Sequence, residues 1–218
     1  MLFFSLVQLL PAQDMVTASD FFDEVSRRYR EIEDYQAHLA ITQEDSVMTG
    51  LLFHKRPNYL LIEFVEPEEQ VIAVDGEKLI IYIPYLNVAM EQELKPDEEG
   101  PTAALATEQG LELMKSRYSV AYLDSQDPVP LDEDGEEMVR KLKLEWRTID
   151  EGFRQLTLSI SDDLLIRRIT GVTSSFREIQ LDFEDILLNQ NVPEGKFRYD
   201  SPPSANVINN FIFEPEEE

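Results

Sequence analysis

Lys55-Arg56-Pro57-Asn58 opens a stretch that continues through the apolar run Tyr59-Leu60-Leu61-Ile62 to Val71-Ile72-Ala73-Val74-Asp75-Gly76-Glu77-Lys78-Leu79 and closes on Ile81-Tyr82-Ile83-Pro84-Tyr85. Pro57 has no backbone donor for a hydrogen-bonded ladder, so it marks a strand boundary. Residues 58–65 then read as a strand in which Glu63 faces water, which leaves Leu60, Ile62 and Phe64 together on the opposite face. Asp75-Gly76, set between two apolar runs, is the strongest hairpin signal in the chain because both residue types tolerate positive φ. Residues 87–94 add a strand with Val88, Met90, Gln92 and Leu94 on one side.

Toward the N-terminus, residues 35–45 and 48–56 read as a strand pair turning at Glu44-Asp45-Ser46. Before them, Thr17-Ala18-Ser19-Asp20 offers capping side chains, and Phe21, Val25, Tyr29 and Ile32 recur on one helical face. A helix over 19–33 is predicted.

Toward the C-terminus, an acidic loop at 95–101 precedes residues 102–118, whose Ala, Leu, Glu and Met content predicts a helix with Gly110 as a candidate break. Ala104, Leu105, Leu111, Met114 and Tyr118 form its apolar stripe. Strands resume at 119–123, and a loop follows over 124–137. Leu142, Leu144 and Trp146 then alternate with Lys141, Lys143, Glu145 and Arg147. Leu156, Leu158 and Ile160 repeat the pattern, a strand covers 165–173, and Ile179, Leu181 and Phe183 alternate with Glu178, Gln180, Asp182 and Glu184. A short strand is expected at 196–199, before Pro202-Pro203.

These segments predict an α+β fold: a single curved antiparallel sheet of about ten or eleven strands, each wet on one face. An apolar concave face of that size needs cover, and the helices are the candidates. The expected architecture is an open half-barrel with a lid of two or three helices.

The chain has 218 residues, 43% of them hydrophobic, with 12 Phe and 8 Tyr, enough for the core of one domain. A net charge of -25 and a pI near 4.3 argue against nucleic acid, whose binding rests on cationic patches that release counterions. Cysteine is absent, which excludes disulfides, thiolate metal sites, thiol catalysis and a cysteine-borne lipid anchor on this chain. Residues 1–14 are an apolar run too short to span a bilayer; they read as a secretory signal with cleavage near Ala12, or alternatively as a buried first helix. The domain is then expected over 15–213, with an acidic tail at 214–218.

The inventory for chemistry is thin. His38 and His54 lie on separate strands without metal-ligand spacing and read as structural. Asp132-Glu133-Asp134-Gly135-Glu136-Glu137 lacks the ligand spacing of a calcium loop and reads as a solvated loop. No nucleophile elbow, phosphate loop or dinucleotide fingerprint is present. Neither an enzyme nor a metal nor a cofactor is expected.

The stretch from Lys55 to Tyr85 resembles, without a gap, the central hairpins of the LolA family of periplasmic lipoprotein carriers, which read K-R-P-N, then a strand, then V-x-D-G-x-x-L-x-x-Y-x-P. The resemblance is tight over 52–89 and looser beyond. Phe53 and Ile62 stand where the family often has Trp, and the acidic tail is not typical of it. The resemblance implies an exported periplasmic monomer that carries acylated lipoproteins between an inner-membrane lipoprotein-releasing ABC transporter and an outer-membrane acceptor. It implies that the acyl chains occupy a cavity lined by Leu60, Ile62, Phe64, Met90, Leu142, Leu144, Trp146, Leu156, Leu158, Ile179, Leu181 and Phe183. From the residues alone, these side chains read first as a dry core beneath Phe21, Val25, Tyr29, Leu105, Leu111 and Met114 of the helices, and only the resemblance raises the cavity above that. It further implies that Arg56 latches the empty lid by hydrogen bonds to helix backbone; five guanidinium donors suit helix-terminal carbonyls, and an ordinary surface ion pair is the alternative. A lipid or glycolipid transporter, or a lipoprotein-sensing regulator, would use the same half-barrel.

Overall fold

Thr17 caps the first helix through its hydroxyl, which accepts from the Asp20 amide, and the helix α1 runs Ala18–Arg30 with Phe21, Phe22, Val25, Ser26 and Tyr29 buried. The computed structural model describes residues 16–94, 106–148 and 152–210; the expected signal segment, the loop at 95–101, Leu105 and the acidic tail lie outside them. The chain then meanders through β1 (Asp34–Gln43), β2 (Ser46–Lys55), β3 (Tyr59–Glu66), β4 (Val71–Asp75), β5 (Lys78–Ile83) and β6 (Val88–Glu93). Helix α2 (Glu108–Arg117) carries it to the other edge. From there β7 (Tyr118–Tyr122), β8 (Val129–Pro130), β9 (Met138–Trp146), β10 (Phe153–Ser161), β11 (Ile166–Thr173) and β12 (Glu178–Leu188) return to pair with β1, and β13 (Asn206–Asn209) lies beside β6.

Among the described residues the result is one open sheet of 13 strands in the order β13-β6-β5-β4-β3-β2-β1-β12-β11-β10-β9-β7, with β8 paired to β9. Every pairing is antiparallel except β13 with β6. Both helices lie on the concave side and share its main core. No helix among the described residues is long and apolar enough to cross a membrane.

Register shifts interrupt the ladders at four places among the described residues, two of them between β10 and β11. Thr49 pairs with Glu66 but Gly50 with Phe64, so β3 carries an extra residue where its backbone lies close against Gly50. On β12 the shift between Gln36 and His38 falls opposite Asp185, which sits at φ 50. That extra residue changes the alternation, so that Phe183 and then Ile186 and Leu188 all reach the main core.

Several expectations need correction. The strands are more numerous than expected, because β8 and β13 are too short to show periodicity. Residues 196–199 are not a strand: a 3-10 helix occupies Glu194–Phe197. Gly110 does not break α2, since its amide donates to the Thr107 hydroxyl as part of the N-terminal cap. The hairpin at Asp75-Gly76 forms, but its closing pair is Val74 with Leu79, so the tip holds four residues. Only Gly76 takes positive φ there, while the Asp75 carboxylate accepts from the Glu77 and Lys78 amides.

Nor is the convex face wet throughout. The C-terminal segment crosses it, and Leu61, Val71 and Ala73 form a second core with Val192 and Phe197, flanked by Phe53, Tyr59 and Tyr199. Glu63 is accordingly bonded to Lys196 at 2.6 Å instead of projecting freely into water. Asp34, itself buried, holds the start of this strap by accepting from the Gln190 and Val192 amides, and Lys55 Nζ donates to the Val192 carbonyl at 2.7 Å.

Candidate functional site

The alternation read in the strands becomes one apolar basin. Leu60, Ile62 and Phe64 of β3, Leu142 and Leu144 of β9, Leu156 and Leu158 of β10 and Phe183 of β12 are all buried in the main core. Cross-strand pairing brings them side by side: Leu144 faces Leu156, Leu142 faces Leu158, and Ile169 links Leu158 to Leu181. Trp146 is half-buried opposite Tyr118. Met90 shares the concave face through its pairing with Ile81 but lies beyond the packed core, near the β13 edge. Ile179 and Leu181 are half-buried and line an opening described below.

Phe21, Val25 and Tyr29 of α1 and Leu111 and Met114 of α2 press into this basin. Phe22, only 1% exposed, does the same; the helical spacing did not single it out, although its apolar neighbour Phe21 signalled a wide helix face. The lid is therefore closed on most of the predicted lining. Space remains in an apolar slot of about 170 Å³ between α2 and the sheet, lined by Leu113, Met114, Phe153, Leu156, Ile179 and Leu181 among others.

Several polar contacts tie the helices to the sheet, and at the end of α2 Arg147 donates from its amide to the Arg117 carbonyl and from its guanidinium to the Ser116 carbonyl. Arg56 follows β2, and its Nη1 donates to the carbonyl of Arg30, the last residue of α1, at 2.7 Å. That carbonyl belongs to the helix turn whose acceptors lack intrahelical partners. The same guanidinium meets Glu108, the first residue of α2, with Nε 3.3 Å from Oε2, and Glu33 at 3.8 Å. One side chain thus joins the end of α1 to the start of α2. Nearby, Tyr35 of β1 donates its hydroxyl to the Ala106 carbonyl at 3.0 Å, and the Tyr29 hydroxyl accepts from the Ile166 amide at 3.0 Å. Burial pushes both phenols up, so they stay neutral hydrogen-bonding groups. Lys115 of α2 pairs with Asp23 of α1 between the two helices.

The register places this fastening and the slot at opposite ends of the sheet. Asp34 pairs with Lys55 at the Arg56 end. The slot residues Phe153, Gly171 and Ile179 lie where β10 pairs with Thr173 and β1 turns at Gln43.

The histidines part company. His38 is exposed and 3.0 Å from Asp185, whereas His54 is buried on the concave face beside Tyr35. The acidic run is not simply solvated, because Asp132 meets Arg168 at 2.9 Å and Glu137 meets Arg167 at 2.6 Å, docking the loop on the outer face. No group of His, Asp and Glu capable of holding a metal occurs among the described residues.

Comparison with known proteins agrees with this geometry. The family model described as "Outer membrane lipoprotein carrier protein LolA" matches residues 38–200. An outer-membrane lipoprotein carrier protein of Hahella chejuensis is 26% identical over 209 residues, covering 93% of this chain and 94% of its own. One from Pseudomonas putida is 28% identical over 160 residues, 73% of this chain and 71% of its own. Among solved structures, an uncharacterized conserved protein from Thermus thermophilus shares the fold with a TM-score of 0.56 at 15% identity, covering 86% of this chain and 98% of that one. The Pseudomonas aeruginosa MucA/MucB complex gives 0.52 at 12% identity, covering 88% of this chain and 63% of that one.

Proposed function

The chain belongs to the LolA family of outer membrane lipoprotein carrier proteins, and from that premise we propose that it is a periplasmic carrier that holds the acyl chains of lipoproteins between its sheet and its two helices. The observation that supports this most is the construction of the basin. Its apolar face is continuous across β1 to β5 and β9 to β12, and the two helices that cover it are joined to it mainly through side chains, with the end of α2 anchored where the Arg147 amide donates to the Arg117 carbonyl. Such a cover can lift at α1 and at the start of α2 while the end of α2 stays hinged on β7.

Lifting exposes apolar surface that costs about 25 cal/mol per Å² in water, and acyl chains laid on the same face restore that burial. Each chain holds its lipoprotein in a membrane by about 0.8 kcal/mol per methylene, so a carrier must supply an equally apolar surface. The closed slot of about 170 Å³ is below the roughly 300 Å³ of small ligand pockets, which means loading requires the helices to move. Arg56 is the latch in this reading, because it holds both helices at one point and is released by breaking polar contacts alone. Met114, on α2 against the slot, adapts to a mobile chain.

The carrier acts as a monomer that accepts cargo from an inner-membrane lipoprotein-releasing ABC transporter and delivers it to an outer-membrane acceptor. Mass spectrometry of material co-purifying with the protein from periplasm tests this. Triacylated lipoproteins are expected; free phospholipid or glycolipid as the sole ligand overturns it in favour of lipid transport on the same fold.

A further inference from the structure

His54 occupies the concave face of β2, opposite Tyr35 of β1 and Leu60 of β3, and is 4% exposed. Neither ring nitrogen has a hydrogen-bond partner among the described residues. A buried polar group in that position carries a desolvation penalty that no contact offsets, and it calls for a functional explanation. Its place in the fold supplies one. Tyr35, whose ring centroid is 5.3 Å from that of the imidazole, donates to Ala106 at the entry to α2. Arg56, two residues further on, binds the end of α1 and the start of α2.

We propose that His54 is a pH switch for the lid: its protonation is incompatible with the closed packing, so acidification releases the helices from the sheet. This rests on the reading of the helices as a movable lid over an acyl-chain basin. The groups around His54 favour a neutral ring while the lid is shut. From β1, Tyr35 is a neutral phenol, and the carboxylate of Asp34 already accepts two strap amides. From the turn after β2 comes the positive charge of Arg56; Leu60 of β3 is apolar. From the helices, Tyr29 is neutral and Glu108 is engaged with Arg56. Burial, with the Arg56 charge adding and the Asp34 charge opposing, lowers the His54 pKa to about 4.

The sign follows from linkage. In an open state that wets the ring, its pKa returns to about 6.5, so the open state binds the extra proton between the two values. Opening is therefore favoured as pH falls through about 6.5, and the gain saturates near 4. Between pH 7.5 and 4.5 the opening equilibrium rises about 70-fold for a fully wetted ring.

The absence of native cysteine allows Glu112→Cys on α2 and Glu66→Cys at the end of β3, both exposed, to carry spin labels in the full chain. Double electron–electron resonance across pH 7.5 to 4.5 is expected to show a growing long-distance population, and His54→Val and His54→Leu are expected to stay closed throughout. An unchanged distance, the same pH response in both variants, or loss of far-ultraviolet circular dichroism with the same midpoint overturns the switch. Uptake of a fluorescent fatty acid, measured in parallel, separates the two readings. Widening that depends on His54 but brings no uptake at any pH supports the switch and counts against the carrier reading. Uptake without such widening overturns the switch alone.

Discussion

The guanidinium of Arg56 meets the carboxylate of Glu108 at 3.3 Å across the seam between sheet and lid, while its other arm holds the carbonyl of Arg30 at 2.7 Å. The two contacts gather the C-terminal end of one helix and the N-terminal end of the other onto a single residue in the turn that follows β2. The Arg56 side chain is 36% exposed and that of Glu108 23%, so water screens the pair and its energy is modest. A contact of that energy can be broken at small cost.

Arg56→Leu is accordingly expected to cost about 1 kcal/mol of global stability or less after allowance for that screening, a fall in Tm of roughly 2–4 °C. The same energy acting on lid closure alone raises the open fraction about fivefold. Hand-over of cargo in a reconstituted release assay should be impaired while circular dichroism stays unchanged. Transfer at the rate of the unaltered protein would remove the latch role. Trp146, the single tryptophan, is half-buried in the core near α2 and gives a fluorescence readout of the same opening.

Gly50→Ala is expected to be far more damaging, although it removes no interaction. A Cβ there would stand 2.5 Å from the Glu63 carbonyl oxygen and 2.9 Å from the Phe64 Cα, both backbone atoms of the neighbouring strand. Backbone in a ladder cannot step aside, so β2 and β3 must separate at the bulge that curves the sheet. A loss of about 3 kcal/mol, or roughly 6–12 °C in thermal unfolding, is expected. A variant that melts within about 2 °C of the parent would show the bulge to be pliable.

Asp34→Ala addresses the strap on the outer face. Its carboxylate satisfies the Gln190 and Val192 amides from a position 3% exposed, and the alanine leaves both donors short of an acceptor. The expected cost is about 2 kcal/mol, read as a shifted urea midpoint. Hydrogen exchange should quicken at residues 189–199 before it does in β9 or β10. Uniform quickening across the sheet would show that the strap has no local role.

The inner face was legible in the sequence, whereas the outer core was not, for a physical reason. Leu142, Leu144 and Trp146 alternate with charges, and one face of such a strand declares itself. In Tyr59-Leu60-Leu61-Ile62 and Val71-Ile72-Ala73-Val74 the apolar residues are consecutive, the mark of a strand covered on both faces. The second cover, Val192 and Phe197, comes from an irregular segment more than a hundred residues away and has no period to read. The bulge at Asp185 hid Ile186 and Leu188 in the same way, by breaking the alternation at the residue where it mattered. Arg56 was found through a resembling motif; its partner Glu108 was not, since one acid among 44 gives no signal until the fold places it.

Gly171→Ala tests the slot. The added methyl would lie 2.6 Å and 2.7 Å from two ring carbons of Phe153 and 3.3 Å from a Leu156 methyl. Here the obstruction is the end of a half-buried side chain at the margin of the slot, which can rotate, so the stability cost is expected to stay near about 1 kcal/mol, well below that of Gly50→Ala. The displaced ring has to move within the opening between α2 and the sheet. If acyl chains enter there, stopped-flow uptake of a fluorescent fatty acid should slow several-fold while Tm falls by no more than about 4 °C. Uptake at the parent rate, with the ring shown to have moved, would place the entry on another side of the lid, leaving the slot as a packing gap beside α2.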